Sequence, residues 1–406
     1  MSMKILGIET SCDETGICLL EANKVGAEIS FKVLGDSLYS QIAIHAEYGG
    51  VFPAMAKRAH SQNILHLFKK TLLEADLLVE KKTKSCKASE ERQQIITKIL
   101  EHEGDLAKEL FAFCQKIEKP ALDAVSVTYG PGLEPALWVG VNFARALSYL
   151  WDIPIIPTNH MEGHIVVASL LQNSHNKNGK LEYKIKELKY PAIALLISGG
   201  HTELVHLKNW LNYEIIGRTR DDAVGEAFDK VARMLDLPYP GGPEISRLAA
   251  NDRTQTAILL HQREFILPRP MLTSPDFDFS FSGLKTAVLY TIKKTGELSD
   301  KQKESLAREF EDAATEVLLK KTTKAIEKYQ AKSLIIGGGV SSNQNIRQEF
   351  ETWAEANKNC KLFLPNPKLS TDNAVMIALA GYLNIVDNKP MIAYDQPLRA
   401  EGNLSL

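Results

Sequence analysis

Short apolar runs that end in Ser, Thr or Gly recur along the chain, and two of them share one pattern. Lys4-Ile5-Leu6-Gly7-Ile8 reads as a buried strand, Glu9 to Gly16 as a tight polar loop, and Ile17-Cys18-Leu19-Leu20 as a returning strand. The pattern returns when the apolar run Ala192 to Leu196 enters Ser198-Gly199-Gly200-His201-Thr202 and Glu203 to Leu207 leads back out, before the strand-like Tyr213 to Ile216. Two copies this far apart predict a duplicated α/β domain rather than a solenoid, with a cleft between the paired lobes.

Each half also carries a strand, a glycine turn and a helix. Asp123 to Val127 runs into Tyr129-Gly130-Pro131-Gly132 and a helix from Leu137 to Trp151. Ser333 to Ile336 runs into Gly337-Gly338-Gly339, where Ser341-Ser342-Asn343 can cap a helix toward Trp353. Such turns let backbone N–H groups approach phosphate or ribose, although many are plain connections. Residues 76–120 combine Lys81, Lys82, Lys84 and Lys87 with a helical period of Ile95, Ile96, Ile99, Leu100, Leu106, Leu110, Phe111 and Phe113, which predicts a helical surface insertion.

At 406 residues the chain exceeds the size at which single cores stop growing, so two domains are expected. No apolar run approaches the roughly 18 residues of a membrane span, and Met-Ser-Met-Lys passes straight into a strand without a signal-peptide core. Cys12, Cys18, Cys86, Cys114 and Cys360 form no CxxC pair, which fits a reducing cytoplasm and no thiolate zinc site. A formal net charge of −2 gives no global pull toward nucleic acid. Two local lysine groups stand out: Lys320, Lys321, Lys324, Lys328 and Lys332, and Lys177, Lys180, Lys184, Lys186 and Lys189. Solvated faces explain such runs by default.

Thr158-Asn159-His160-Met161-Glu162-Gly163-His164 places two histidines at i and i+4 near the start of a helix, on one face, where both can point a nitrogen at one ion. Zinc proteases carry Glu directly after the first His; here Met161 stands there, so protease chemistry is disfavoured. Asp372, in Ser370-Thr371-Asp372-Asn373, is the candidate third ligand; the competing reading is that Asp372 or Thr371 caps the helix from Ala374 to Leu383. Asp222, Glu226 and Asp229 fall at i, i+4 and i+7 and read as one acidic stripe, either solvated or accepting from ligand hydroxyls, beside the turn Tyr239-Pro240-Gly241-Gly242-Pro243.

Gly7-Ile8-Glu9-Thr10-Ser11-Cys12-Asp13-Glu14-Thr15, His160 to His164, Ser198 to Thr202, Gly225-Glu226-Ala227-Phe228-Asp229-Lys230, Tyr239 to Pro243 and Phe281-Ser282-Gly283-Leu284-Lys285-Thr286 together closely resemble the tRNA N6-adenosine threonylcarbamoyltransferase family, called TsaD in bacteria. The resemblance implies two duplicated actin-like (ASKHA) α/β lobes: lobe I over 1–165, completed by 373–406, and lobe II over 166–372. It also implies transfer of threonylcarbamoyl from threonylcarbamoyl-AMP to N6 of adenosine 37 in tRNAs reading ANN codons, with release of AMP. On the same ground His160, His164 and Asp372 would hold one divalent metal, Fe(2+) in preference to Zn(2+). Leu196, Ile197, Ser198, Gly199, Gly200, Asp229, Gly242 and Asn343 would line the adenylate site. Implied partners are tRNA, a shorter actin-like paralogue and a small P-loop ATPase, with no membrane. No general base is assigned; His45, His60 and His201 are candidates. Pro53-Ala54, Glu134-Pro135 and the 76–120 insertion depart from the family pattern and bear on partner contacts more than on the metal site. Rival readings are an actin-like kinase or carbamoyl-phosphate-dependent transferase, and a non-catalytic scaffold of a tRNA complex.

Overall fold

The structure, a computed structural model, describes residues 2–26, 28–82, 90–175, 181–259 and 264–406. It divides into two compact units, one of 1–186 with 372–406 and one of 187–371. The first comprises β1 (Ser2–Glu9), β2 (Glu14–Val25), β3 (Glu28–Ser40), α1 (Ile42–Ala46), α2 (Pro53–Glu74), α3 (Glu90–Ile99), α4 (Leu106–Lys116), β4 (Ala124–Gly130), α5 (Glu134–Trp151), β5 (Ile155–Asn159), α6 (His160–Ala168), β6 (Leu170–His175) and β7 (Leu181–Ile185). The second comprises β8 (Ala192–Ile197), β9 (Thr202–Asn209), β10 (Asn212–Arg218), α7 (Val224–Met234), α8 (Gly241–Leu259), α9 (Ser282–Thr295), α10 (Asp300–Tyr329), β11 (Ser333–Gly337), α11 (Gln344–Ala356) and β12 (Lys361–Phe363). The chain then returns to the first unit with α12 (Ala374–Val386).

The duplication is explicit in strand order. The first sheet runs β5-β4-β1-β2-β3-β7-β6 and the second β12-β11-β8-β9-β10. In both, an antiparallel hairpin (β1/β2, β8/β9) stands beside two parallel strands (β4 and β5, β11 and β12). The central strands are apolar on both faces because helices cover them, as parallel sheets require. Ile5, Leu6 and Ile8 are fully buried in one sheet, and Ala192 through Ile197 in the other. These are the two duplicated α/β lobes that the repeated hairpin pattern predicts.

Two boundaries differ from the sequence reading. The expected division after 165 is displaced because β7 pairs antiparallel with β3, Phe31 opposite Tyr183, and β6 pairs with β7, so the chain stays with the first sheet through Lys186. Asp372, expected as the last residue of lobe II, opens the return segment of the first unit. The 76–120 segment forms α3 and α4, whose outer faces are exposed while Ile96, Leu100, Leu106 and Leu110 pack into one core with Phe68 and Phe143. Lys84, Lys87 and Cys86 lie outside the described residues, as do Lys177 and Lys180; the other cysteines are free thiols. No helix among the described residues is long and apolar enough to cross a membrane.

The lysines of α10 are more engaged than a solvated face would be. Lys321, 1% exposed, donates to Ser274 and to the Asp276 carbonyl, Lys324 donates to the carbonyls of Ser274 and Pro275, and Lys328 lies over the Phe277 ring. They clamp the 274–278 loop onto the helix.

Candidate functional site

In the first unit, β5 ends at Asn159 and α6 begins with His160. The Asn159 side chain accepts from the Met161 N–H at 2.8 Å, which fixes the first turn of the helix. His160 and His164 then project from one face, their rings perpendicular and 4.7 Å apart between centroids. Asp372 meets them from before α12. Its Oδ1 lies 3.3 Å from His160 Nε2 and 3.2 Å from His164 Nε2. The capping alternative is settled by its neighbour: Asn373 accepts from the Met376 N–H and caps α12, so the Asp372 carboxylate is available to the histidines.

His160 is oriented from behind. Its Nδ1 faces Glu9 Oε2 at 3.0 Å and Ser11 Oγ at 3.2 Å. The fully buried Glu9 is itself held by the Ser11 N–H at 2.5 Å and the Thr128 hydroxyl at 2.6 Å. A carboxylate only accepts, so Nδ1 carries the proton and the Nε2 lone pair faces Asp372. A lone pair 3.3 Å from a carboxylate oxygen needs a cation between them, either a proton or a metal ion.

The charge balance shows the same need. Burial disfavours a cation at His160, yet Asp372 and Glu9 on opposite sides hold its pKa well above the ordinary value. Burial pushes His164 down, aided by the charge of His160, and the two imidazoles hold Asp372 below the usual carboxylate range despite its own burial. His164 Nδ1 is buried without a hydrogen-bond partner among the described residues, and its Nε2 faces Asp372 Oδ1 at 3.2 Å without regular hydrogen-bond geometry, an arrangement that asks for a ligand. Donor atoms of the three residues lie within 4.8 Å of one another. Ligands about 2.1 Å from one ion stand about 3.0–3.4 Å apart in octahedral or tetrahedral geometry, and the distances of 3.2 and 3.3 Å match that edge. The residues fit a divalent metal ion.

Glu9, Ser11 and Glu14 received no role from the sequence. The available signal was a carboxylate closing an apolar strand, where Glu9 follows Ile8. Glu14, half-buried, has its carboxyl pushed up to about 10 by burial and then by Asp372 and Asp13.

The candidate bases are largely engaged elsewhere. His60 Nε2 donates to the Cys12 carbonyl at 3.0 Å while its Nδ1 accepts from the Thr15 hydroxyl at 2.8 Å. His45 Nδ1 accepts from the Phe52 N–H, and its Nε2 donates to Gln41. Neither ring has a nitrogen to spare. His201 belongs to the second unit, where its N–H donates to Ser198 Oγ.

All eight residues expected at the adenylate lie in the second unit. Leu196 and Ile197 end β8, and Ser198-Gly199-Gly200 form the turn into β9. Side chains built at Gly199, Gly200 and Gly242 would meet nothing within 4 Å, so these backbone faces are open. Asp229 on α7 accepts from the Gly241 N–H at 2.7 Å, tying that helix to the Gly241-Gly242 start of α8. Asn343 caps α11, accepting from the Ile346 N–H, and donates to Ser246 on α8 and to the buried Glu311 on α10. The acidic stripe is altered: Ala223 is the extended residue before α7, so Asp222 lies outside the helix, where it pairs with Lys230 and Lys285 at 2.8 Å each. Glu226 also pairs with Lys230.

A sequence model of tRNA N6-adenosine threonylcarbamoyltransferase (TsaD) matches residues 32–84 and 100–379. The interruption falls within the 76–120 helical segment. A tRNA N6-adenosine threonylcarbamoyltransferase of Thermosipho africanus (strain TCF52B) is 38% identical over 404 residues, spanning 100% of both chains. Among solved structures, full-length HypF in its phosphate- and nucleotide-bound form aligns with a TM-score of 0.51 at 10% identity, over 95% of this chain and 47% of that one. This chain thus spans less than half the length of HypF, and that likeness bears on the fold alone. A family match over most of the sequence and a full-length relative at this identity leave one assignment: the chain belongs to the tRNA N6-adenosine threonylcarbamoyltransferase family.

Proposed function

We propose that this chain transfers the threonylcarbamoyl group of threonylcarbamoyl-AMP to N6 of adenosine 37 in tRNAs reading ANN codons. The carrying observation is the His160/His164/Asp372 constellation, with both histidines buried and His164 Nδ1 unpartnered among the described residues, in a chain of this family. The N6 amine forms a C–N bond to the carbamoyl carbon while the carbon–oxygen bond to the phosphate breaks, AMP leaves and the amine proton passes to solvent. The donor is already activated, so the protein chiefly orients donor and amine.

His160, His164 and Asp372 would hold a divalent ion, which when bound would supply Lewis-acid polarisation of an oxygen. Two imidazoles and one carboxylate suit Fe(2+) and Zn(2+) alike; iron is the expected occupant. Glu9 fixes the His160 tautomer. In the second unit the open backbone of Ser198-Gly199-Gly200 would donate to the phosphate of the adenylate, with Leu196 and Ile197 behind it. Asp229 would set the Gly241-Gly242 edge. Asn343 has committed its amide hydrogens to Ser246 and Glu311, so it would meet the nucleotide only as an acceptor through Oδ1. The reading includes a cytoplasmic setting and two protein partners, a shorter actin-like paralogue and a small P-loop ATPase.

The test incubates the purified chain and these partners with threonylcarbamoyl-AMP and unmodified tRNA. Modified nucleoside and AMP in equal amounts, lost in His164→Ala, support the reading. ADP made from ATP and a small acceptor would mark a kinase instead, and no product with full tolerance of His164→Ala would mark a scaffold.

A further inference from the structure

After α12 the chain continues as an irregular strap across the first unit. Ile392 exchanges backbone hydrogen bonds with Ile155 at 2.8 and 2.9 Å, next to the start of β5. The Tyr394 ring packs against Tyr149 at 4.8 Å, and its carbonyl accepts from Arg145 at 3.0 Å. Leu398 and Ala400 are buried. The last residues then lie along the turn after β4: the Glu401 N–H donates to the Tyr129 carbonyl at 2.8 Å, and the Gly132 N–H to the Gly402 carbonyl at 3.1 Å. The fit is close, since a side chain at Gly130 would put its Cβ 2.1 Å from the Glu401 carbonyl oxygen.

The strap ends on the metal helix. Asn159 Nδ2 donates to the Ser405 carbonyl at 3.2 Å, while Oδ1 of the same amide caps α6. Capping alone does not require asparagine, since Ser or Asp serves as well. Asparagine caps with one end of its side chain and donates with the other, whereas an Asp carboxylate only accepts and a Ser hydroxyl must do both from a single, shorter arm. Asn159 is 3% exposed and immediately precedes His160.

We propose that segment 401–406, acting through Asn159, positions the first turn of α6 and thereby His160 for metal binding, making Asn159 a positioning residue of the metal centre. This rests on the metal reading above. His160 is then set from two directions, by Glu9 on its ring and by the strap through the cap on its backbone.

Zinc affinity of the metal-free full-length chain is measured by competition with a chromophoric chelator, alongside hydrogen exchange of the Met161 to Gly163 amides. The variants are Asn159→Ser, whose shorter hydroxyl keeps a capping oxygen but does not reach the Ser405 carbonyl while it caps, a chain ending at Glu401, and the two combined. Expected are about tenfold weaker zinc binding in each single variant, the size typical of lost outer-shell support, and faster exchange of the first α6 turn. The double variant should be no weaker than either single one, because both cut the same link. Should the shortened chain fail to fold, Asn159→Ser decides alone. Wild-type affinity and exchange in Asn159→Ser, or additive losses in the double variant, would overturn the proposal. A wild-type chain that takes up no zinc or Fe(2+) sinks the metal reading itself, and the strap's role with it.

Discussion

Acidification should force a proton onto His60 and loosen the loop between β1 and β2 that carries Cys12 and Asp13. Burial, aided by His45, lowers the His60 pKa from 6.5 to about 4, although the Cys12 carbonyl, Glu9 and Asp13 pull it the other way. The ring is fully buried, so solvent screening does not shrink the effect. The unfolded chain takes up the proton near 6.5 and the folded chain only near 4. The native state therefore holds its full advantage above pH 6.5 and loses it as the pH falls through that window. At about 1.4 kcal/mol per pKa unit, the loss is about 2 kcal/mol by pH 5 and about 3 kcal/mol by pH 4. His60→Gln cannot titrate, so the stability difference between it and the wild type should change with pH by these amounts. Urea unfolding in a background with Trp210 and Trp353 replaced by Phe leaves Trp138 and Trp151, both in the first unit, as reporters. Parallel stability curves for the two chains between pH 7.5 and 4 would refute the reasoning.

Other perturbations follow from the same geometry. Glu9→Gln should weaken zinc binding about tenfold in a chelator competition, since the amide no longer holds the Nδ1–H tautomer of His160 as a carboxylate does; unchanged affinity would leave Ser11 as the orienting group. Gly225→Ala should displace the Ser198-Gly199 turn, because its Cβ would lie 2.6 Å from the Ser198 carbonyl oxygen and 2.9 Å from Gly199 Cα, both backbone. A cost of about 1–3 kcal/mol in thermal unfolding and weaker AMP binding by calorimetry are expected. Arg269→Ala should cost about 3 kcal/mol, read as a lowered melting temperature, because it removes the cation that pairs with the buried Glu309 and with Glu316.

The hairpins and the metal pair were legible because their information is local. An apolar strand entering a Ser/Gly turn shows itself within ten residues, and histidines four apart share a helix face wherever the helix packs. Relations between distant segments were not legible. Asp372 and Asn373 can each cap a helix, and only the placement of His160 and His164 against the first, with Asn373 bonded to Met376, separates their roles. Glu9 acquires its function from a ring 151 residues away. The acidic stripe was begun two residues too early: charge spacing does not show that α7 starts at Val224, and Lys285, which with Lys230 takes up the charge of Asp222, lies 63 residues on. The misplaced boundary has a similar cause, since β6 and β7 join the edge of β3 by backbone pairing and carry no long apolar run that would announce them.

Assembly of the first unit from both ends of the chain sets an order on its biosynthesis. The ribosome has completed 187–371 before it adds Asp372 and α12, so the central unit has all its residues while the N-terminal sheet still waits for its last helix. At about 5–20 residues per second that wait lasts about 10–40 s. A nascent polypeptide interrupted between positions 164 and 372 bears both imidazoles and no Asp372 carboxylate to complete the set. Retention of the ion therefore marks a chain that was translated past its third ligand.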